Sequence, residues 1–248
     1  MKKILLLVLV SVLSSVMLFG CKKSETAASD TLIVGTNAEF PPFEYIEQGQ
    51  IVGFDVDLMN EISKLTGKKV EFKNMAFDSL LIAMQTGKIN CIISGMTATE
   101  ERRQHVNFST PYFVSKQAVI VPENSDIQKF EDLKGKKIGV VIGYTGDMVV
   151  TDMYKDTSSI TRYEATGQAI MALTAGKVDA TVLDMEPAKE YVANNEGIKV
   201  LDTALAEEEY SIALPKDNTA LLEEINKALK TLKENGTYDK IYAKYFNK

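Results

Sequence analysis

From Thr31 onward, short runs of β-branched residues alternate with stretches whose apolar positions recur at helical spacing. LIVGT (32–36), KVEFK (69–73) and CIISG (91–95) are strand-like, and helical patterns over 55–66 and 78–86 lie between them. Such alternation predicts βαβ units on a mostly parallel sheet. In the first helix Phe54, Leu58, Ile62 and Leu65 fall on one face and Gly67 ends it. Asp55 is placed as its N-cap, and Asp57 in the first turn, where a carboxylate favours the helix dipole. No further oxygen ligands follow this pair at loop spacing, so capping explains it better than metal binding. A second set of units starts after Pro111: QAVIV (117–121), a connection over 122–134, KIGVVIG (137–143), a helix near 146–155, SITRY (159–163), a helix over 166–175, and DATVLD (179–184). EEEYSIALP (207–215) is one more strand. A helical tail follows with Leu221, Leu222, Ile225, Ala228, Leu229 and Leu232 on one stripe, and Gly236 breaks it before a final short helix. Single strands near 112–116 and 207–211 join the two sets, which predicts two lobes, two crossovers, and last helices that return to the first lobe.

Within this pattern the chain repeats itself. IAMQTGKINCIISGM (82–96) and MALTAGKVDATVLDM (171–185) share a unit in which a helix stops at Gly87 or Gly176 and a short strand follows. Glycine suits the left-handed position that closes a helix. Ligands of open α/β sheets bind at the carboxyl ends of strands, so the repeat marks two equivalent positions, Ser94-Gly95 and Asp184.

The first twenty residues are a different material. Lys2 and Lys3 precede an apolar run from Ile4 to Val10 and a mixed one to Phe19, which is a secretory signal rather than a spanning helix. Leu18-Phe19-Gly20-Cys21 resembles the lipobox of bacterial lipoproteins, in which the cysteine becomes the lipidated first residue. Only Cys91 then remains, so the mature chain can form no internal disulfide. Residues 22–30, KKSETAASD, read as a tether that reaches about 30 Å at full extension. Without Lys2 and Lys3, 26 basic against 34 acidic residues leave a formal charge of −8. That balance argues against nucleic acid, which wants a basic face; a surplus of surface carboxylates keeping an exported protein soluble accounts for it.

Several short constellations carry candidate chemistry. In SGMTATEERR, Thr99 is placed as an N-cap, and Arg102 lies one turn into the helix. Its guanidinium either grips a carboxylate bidentately or forms an ordinary salt bridge with Glu100 or Glu101. The GYTG turn (143–146) feeds a helix and can seat an anion on backbone N–H groups, although a tight connecting turn explains it equally. Its glycines, at 139, 143 and 146, do not have dinucleotide-fingerprint spacing. Asp184 holds an ammonium or caps the helix that follows. In NAEFPPFEY (37–45) the prolines fix an extended path, so Phe40 can stack on a flat or cationic group; Phe43 is the better core residue. An enzyme finds little support: His105 has no acidic or nucleophilic partner at a recognisable spacing, and there is no metal-ligand cluster and no sign of a cofactor.

TNAEFPPFEY, IVGFDVDL, AFDSLLIAMQTGK, SGMTATEERR, VNFSTPYF, DLKGKKIGV, GKVDATVLD and KENGTYDKIYAKYF, in this order over residues 31–248, resemble the bacterial extracellular solute-binding proteins (family 3) of polar amino acid ABC importers. The resemblance implies an α/β, two-lobed clamp of the periplasmic-binding-protein kind, each lobe a mostly parallel sheet flanked by helices, with two strand crossovers as hinge. The implied division is a signal peptide over 1–20, lipidated Cys21 and tether over 21–30, lobe 1 over 31–112, lobe 2 over 113–208 and a return to lobe 1 over 209–248. It further implies that Arg102 grips an α-carboxylate with Thr97 and the backbone N–H groups near Thr145 and Gly146. Asp184, the Gly95 carbonyl and the Thr97 hydroxyl hold the α-ammonium. Phe40 and Phe77 sandwich the side chain, and Asn37, Glu44, Ser94 and Val141 shape its far end. Asn37 stands where many members carry an acidic residue, and Val141 where a polar one is common.

The aromatic pair with Glu44 favours a cationic amino acid such as arginine, with glutamine or cystine as the alternative and a dehydratase-like enzyme on the same fold as the rival of another class. An amino acid has about ten heavy atoms, so at about 1.5 kcal/mol per atom micromolar binding requires nearly all of them to be engaged. Closure around the ligand is therefore the expected motion. The partners implied are a membrane permease and, through Cys21, a lipid bilayer facing the periplasm or cell exterior; the chain is expected to be a monomer.

Overall fold

The structure, a computed structural model, describes residues 31–247. The signal segment, Cys21 and the tether lie outside the described residues. Two five-stranded sheets dominate. In the first, β1 (Thr31–Thr36) lies between β5 (Lys69–Asn74) and β6 (Cys91–Ile92), parallel to both. The order is completed by β13 (Ala213–Leu214), which runs opposite to β6, and β7 (Asn107–Phe108), which is antiparallel to β13 and so shares the direction of β6. The second sheet runs β10 (Ser159–Tyr163), β9 (Lys137–Val141), β11 (Ala180–Asp184), β8 (Phe113–Pro122) and β12 (Ile198–Tyr210). Its first three strands are parallel, β8 runs opposite to them, and β12 is antiparallel to β8. Helices α1 (Phe54–Thr66), α2 (Phe77–Gln85) and α3 (Glu100–His105) belong to the first half of the chain. α4 (Thr145–Tyr154), α5 (Thr166–Thr174) and α6 (Met185–Ala193) follow in the second. α7 (Thr219–Glu234) and α8 (Thr237–Phe246) come back to pack on α1.

The two sheets are joined by β8 and β12 side by side. Phe113 pairs with Tyr210 at the junction, and Ile198 with Pro122 at the far end, so both crossovers share one antiparallel ribbon. On the first-sheet side that ribbon continues: Tyr210 bridges Thr97, and Ser211 donates its backbone N–H to Met96. The predicted strand CIISG is correspondingly short. β6 stops at Ile92, and the chain turns at Gly95, φ +50°, to run along the ribbon. A Cβ at Gly95 would lie 2.6 Å from Cε1 of Phe40, so only glycine fits there.

Gly87 and Gly176 both hold left-handed backbone just past the ends of α2 and α5, φ +72° and +67°. The stripe on α7 is buried at Leu221, Ile225, Ala228, Leu229 and Leu232. A small third sheet escaped the sequence pattern: β2 (Glu39–Phe40), β3 (Glu44–Glu47) and β4 (Gln50–Val52). Its hairpin turns on Gln48 and Gly49, both at positive φ, in the sense that suits a two-residue connection. These strands are too short to build a periodic signal.

Asp55 corrects an expectation. α1 starts at Phe54 behind Gly53, and Asp55 makes no cap. Its Oδ2 instead accepts from the Gly95 N–H at 2.9 Å and the Tyr112 hydroxyl at 2.8 Å, wholly buried beneath the strand-end turn.

Candidate functional site

A small cavity lies between the two halves at the carboxyl ends of their strands. From the first half it is lined by Phe40, Phe77, Ser94, Gly95, Thr97 and Arg102. Tyr144, Thr145 and Asp184 line it from the second. Arg102 is set by local sequence: Thr99 caps α3 by accepting from the Arg102 N–H, so the guanidinium projects back one turn toward the strand end. It makes no salt bridge with Glu100 or Glu101. Nη1 donates to the Thr97 carbonyl and Nη2 to the Gly143 carbonyl across the cleft, each at 2.8 Å, and the group lies 5.2 Å from the Phe77 ring. A guanidinium has five N–H donors, so three remain for a further partner. Arg102 is 4% exposed. Burial lowers its pKa to about 10, against the opposing charges of Glu208 and Asp184.

Asp184 sits at the end of β11 and occupies the cap position of α6 without capping it. Its Oδ1 accepts from the Tyr210 hydroxyl at 2.7 Å. It is 3% exposed, and burial, followed by the nearby charge of Glu208, pushes its pKa up to about 7. One buried cation and one buried carboxylate therefore face the same cavity from opposite sides.

The remaining expected residues are placed unevenly. Phe40 and Phe77 face the cavity, and the Tyr144 ring packs edge-on against both, at 5.4 and 4.7 Å, which makes a three-ring wall. Asn37 stands behind that wall, accepting from the Tyr144 hydroxyl at 2.8 Å and donating its backbone N–H to Ser94 Oγ. Glu44 does not reach the cavity. Its Oε1 accepts from Ser94 Oγ at 2.9 Å, so Ser94 screens it, and burial, then the Asp55 charge, holds its carboxyl well above the ordinary range. Val141 is packed in the core. Gly146 is a contact point rather than a lining residue; a Cβ there would lie 2.9 Å from Gln117 Oε1. As the second residue of α4 it still carries one of the N–H groups that find no partner inside a helix.

Three participants were missed: Tyr144, Gln117 and Glu208. Tyr144 was legible as the one large side chain in GYTG. Glu208 carried a weaker signal, since strand alternation puts it on the same face as Tyr210. Its Oε2 accepts from Thr145 Oγ1 at 2.7 Å, Thr97 Oγ1 at 2.9 Å and Gln117 Nε2 at 3.3 Å. Among the described residues no group of three or more His, Cys, Asp or Glu is placed to hold a metal ion.

The buried carboxyls give the protein an unusual acid response. Burial raises Asp55 to about 6, Asp184 to about 7 and Glu44 well up, so each takes a proton more readily folded than unfolded. A raised carboxyl costs stability when ionised and returns it as pH falls through the folded pKa toward the unfolded value of about 4. Thermal unfolding without added ligand should therefore give a higher Tm at pH 5.5 than at pH 7.5. An unchanged or lower Tm at pH 5.5 would show that these groups are not held in costly burial.

The chain is 41% identical over 221 residues to a probable histidine-binding protein of Neisseria gonorrhoeae, covering 87% of this chain and 82% of that one. It is 34% identical to ABC transporter arginine-binding protein 1 of Escherichia coli, covering 89% and 92%. The fold superposes with a TM-score of 0.84 on the arginine-, lysine-, histidine-binding protein ArtJ of Geobacillus stearothermophilus, at 40% identity over 88% of this chain and 96% of that one. Residues 32–248 match the family model of the bacterial extracellular solute-binding proteins, family 3, so the two-lobed fold seen here has a place among known proteins: the chain belongs to that family.

Proposed function

We propose that this chain is the substrate receptor of an ABC importer and binds a free cationic amino acid, with arginine first, closing its two lobes around it. The observation that carries the reading is Arg102 and Asp184, both buried, facing one cavity from opposite sides. A zwitterion is costly to desolvate, so a cleft that holds one must supply both opposite charges. In this reading the three spare guanidinium donors take the α-carboxylate with the first N–H groups of α4, and Asp184 takes the α-ammonium with the Gly95 carbonyl.

Glu44, screened by Ser94, contributes nothing to a cationic preference. Support comes from the three-ring wall, which suits a guanidinium or imidazolium. Two carboxylates, Asp184 and Glu208, also stand near Arg102, and relatives are named for arginine, histidine and lysine binding. One observation favours glutamine instead: the far end is closed by the neutral Asn37–Tyr144 pair. Calorimetry against arginine, histidine, lysine, glutamine and cystine decides. Arginine should bind most tightly, and tight glutamine or cystine binding without arginine heat would overturn the charge argument. Because Asp184 must be ionised to hold an ammonium, affinity should drop roughly twentyfold from pH 7.5 to 5.5, the sign opposite to that of the ligand-free stability.

The lobes run over residues 31–112 and 209–248 for the first and 113–208 for the second, and the closed pair is what the permease reads. The exported chain is a monomer held to the bilayer through lipidated Cys21, a residue outside those described. Labelling with radioactive palmitate, lost in Cys21→Ser, tests the anchor.

A further inference from the structure

Glu208 lies on β12, opposite Ser115 of β8, in the ribbon that joins the two lobes. Its surroundings are unlike those of its neighbours: Glu207 is exposed and pairs with Lys116, whereas Glu208 turns inward and gathers three side-chain donors on one oxygen. Those donors come from three different parts of the molecule. Thr97 belongs to the strand-end turn of the first sheet, Thr145 opens α4 on the second, and Gln117 lies within the ribbon. A threonine hydroxyl has a single proton to donate, so the hydroxyls of both threonines are committed to Glu208 and contribute none of that proton to a ligand.

The geometry points to Glu208 as an interlobe latch and positioning residue, whose carboxylate fastens Thr97 of one lobe to Thr145 of the other and so holds the clamp shut with the ligand-facing backbone in register. Thr97 is tied to the ribbon through the Ala98 N–H on the Glu209 carbonyl and the Tyr210 bridge, so Glu208 and Thr97 move together. Glu208 is the last residue of the second lobe's span and stays at the hinge beside Thr97, so rotation of the body of that lobe, which carries α4, must break the Thr145 bond, the shortest of the three at 2.7 Å. A charged acceptor makes this latch stronger than a neutral one of the same shape. The arrangement leaves the first backbone N–H groups of α4 free, which is where an anionic group of the ligand is expected.

This role rests on the proposed two-lobed clamp, but its test needs no ligand. Ile82 and Met171, one on each lobe at equivalent positions of the repeat, are 63% and 71% exposed and can be changed to cysteine for a pair of dyes. Cys91 is buried with its thiol pushed up to about 12, and Cys21→Ser removes the other thiol. Single-molecule energy transfer on this chain should show the closed-to-open ratio falling about tenfold in Glu208→Ala, and less in the shape-preserving Glu208→Gln. Thr145→Val should lower it comparably, and the double variant Glu208→Ala/Thr145→Val no further than Glu208→Ala alone. With arginine added, dissociation should speed up in Glu208→Ala while the association rate stays within about twofold. An unchanged ratio in Glu208→Ala, or strictly additive effects in the double variant, overturns the latch. Absence of binding by any amino acid would overturn the transport reading and leave the ligand-free ratios to judge the latch separately.

Discussion

Replacing Asp184 with alanine should abolish binding of every free amino acid while leaving the fold at least as stable. An amino acid's ammonium enters a cavity where Arg102 repels it, and Asp184 is the carboxylate at the end of β11 that faces that cavity. Leaving a buried charge without its partner costs about 3–5 kcal/mol, which is two to three and a half decades in Kd. Stability moves the other way. The Asp184 carboxyl is pushed up to about 7 by burial and by Glu208, so its removal relieves a desolvation cost, offset by the loss of an acceptor for the Tyr210 hydroxyl, about 1 kcal/mol. Asp184→Asn keeps the shape and the acceptor but not the charge, and should lose affinity almost as severely. Calorimetry with arginine, alongside thermal unfolding, reads both. If Asp184→Ala binds with unchanged affinity, the ammonium is held elsewhere and the assignment of opposite charges to opposite lobes is wrong.

How much of this site was legible follows a physical division. The residues that local grammar singled out line the cavity: Arg102 by its place one turn after the Thr99 cap, Asp184 by its slot in the repeat, Phe40 by the rigid prolines beside it. The misplacements and omissions are residues whose role is set by packing between distant segments. Asp55 looked like a helix cap because a carboxylate at the start of an apolar helical stripe often is one, and nothing local could say that the Gly95 N–H, 40 residues away, would claim it. Glu44 was misplaced for the same reason, since its screening depends on Ser94, 50 residues distant. Glu208 sits in a run of three glutamates that reads as a solvated edge; only the ribbon's pairing with β8 turns the middle one inward. The fold was legible for a different reason. Helix and strand periods are local and recur in both lobes, whereas the hairpin over 44–52 has strands of four and three residues and offers no period to detect.

Arg102→Lys is the sharper test of the other half of the clamp, because it preserves charge and removes geometry. The guanidinium uses two of its five donors on the Thr97 and Gly143 carbonyls, which lie on opposite sides of the cleft, and presents the rest as a flat fork. A lysine ammonium has three donors on one atom. It cannot span both carbonyls and still present a flat two-pronged fork to a carboxylate, and it gives up the planar guanidinium placed 5.2 Å from the Phe77 ring. Arginine affinity should therefore drop about a hundredfold, and in Arg102→Gln, where the charge goes as well, at least a further tenfold. Arg102→Gln also removes a cation beside Asp184 and Glu208, so the pH at which binding fades should move upward relative to wild type. That upward shift separates loss of charge from loss of shape, since Arg102→Lys should leave the midpoint nearly in place. Wild-type affinity in Arg102→Lys would mean that the carboxylate is read by backbone N–H groups alone.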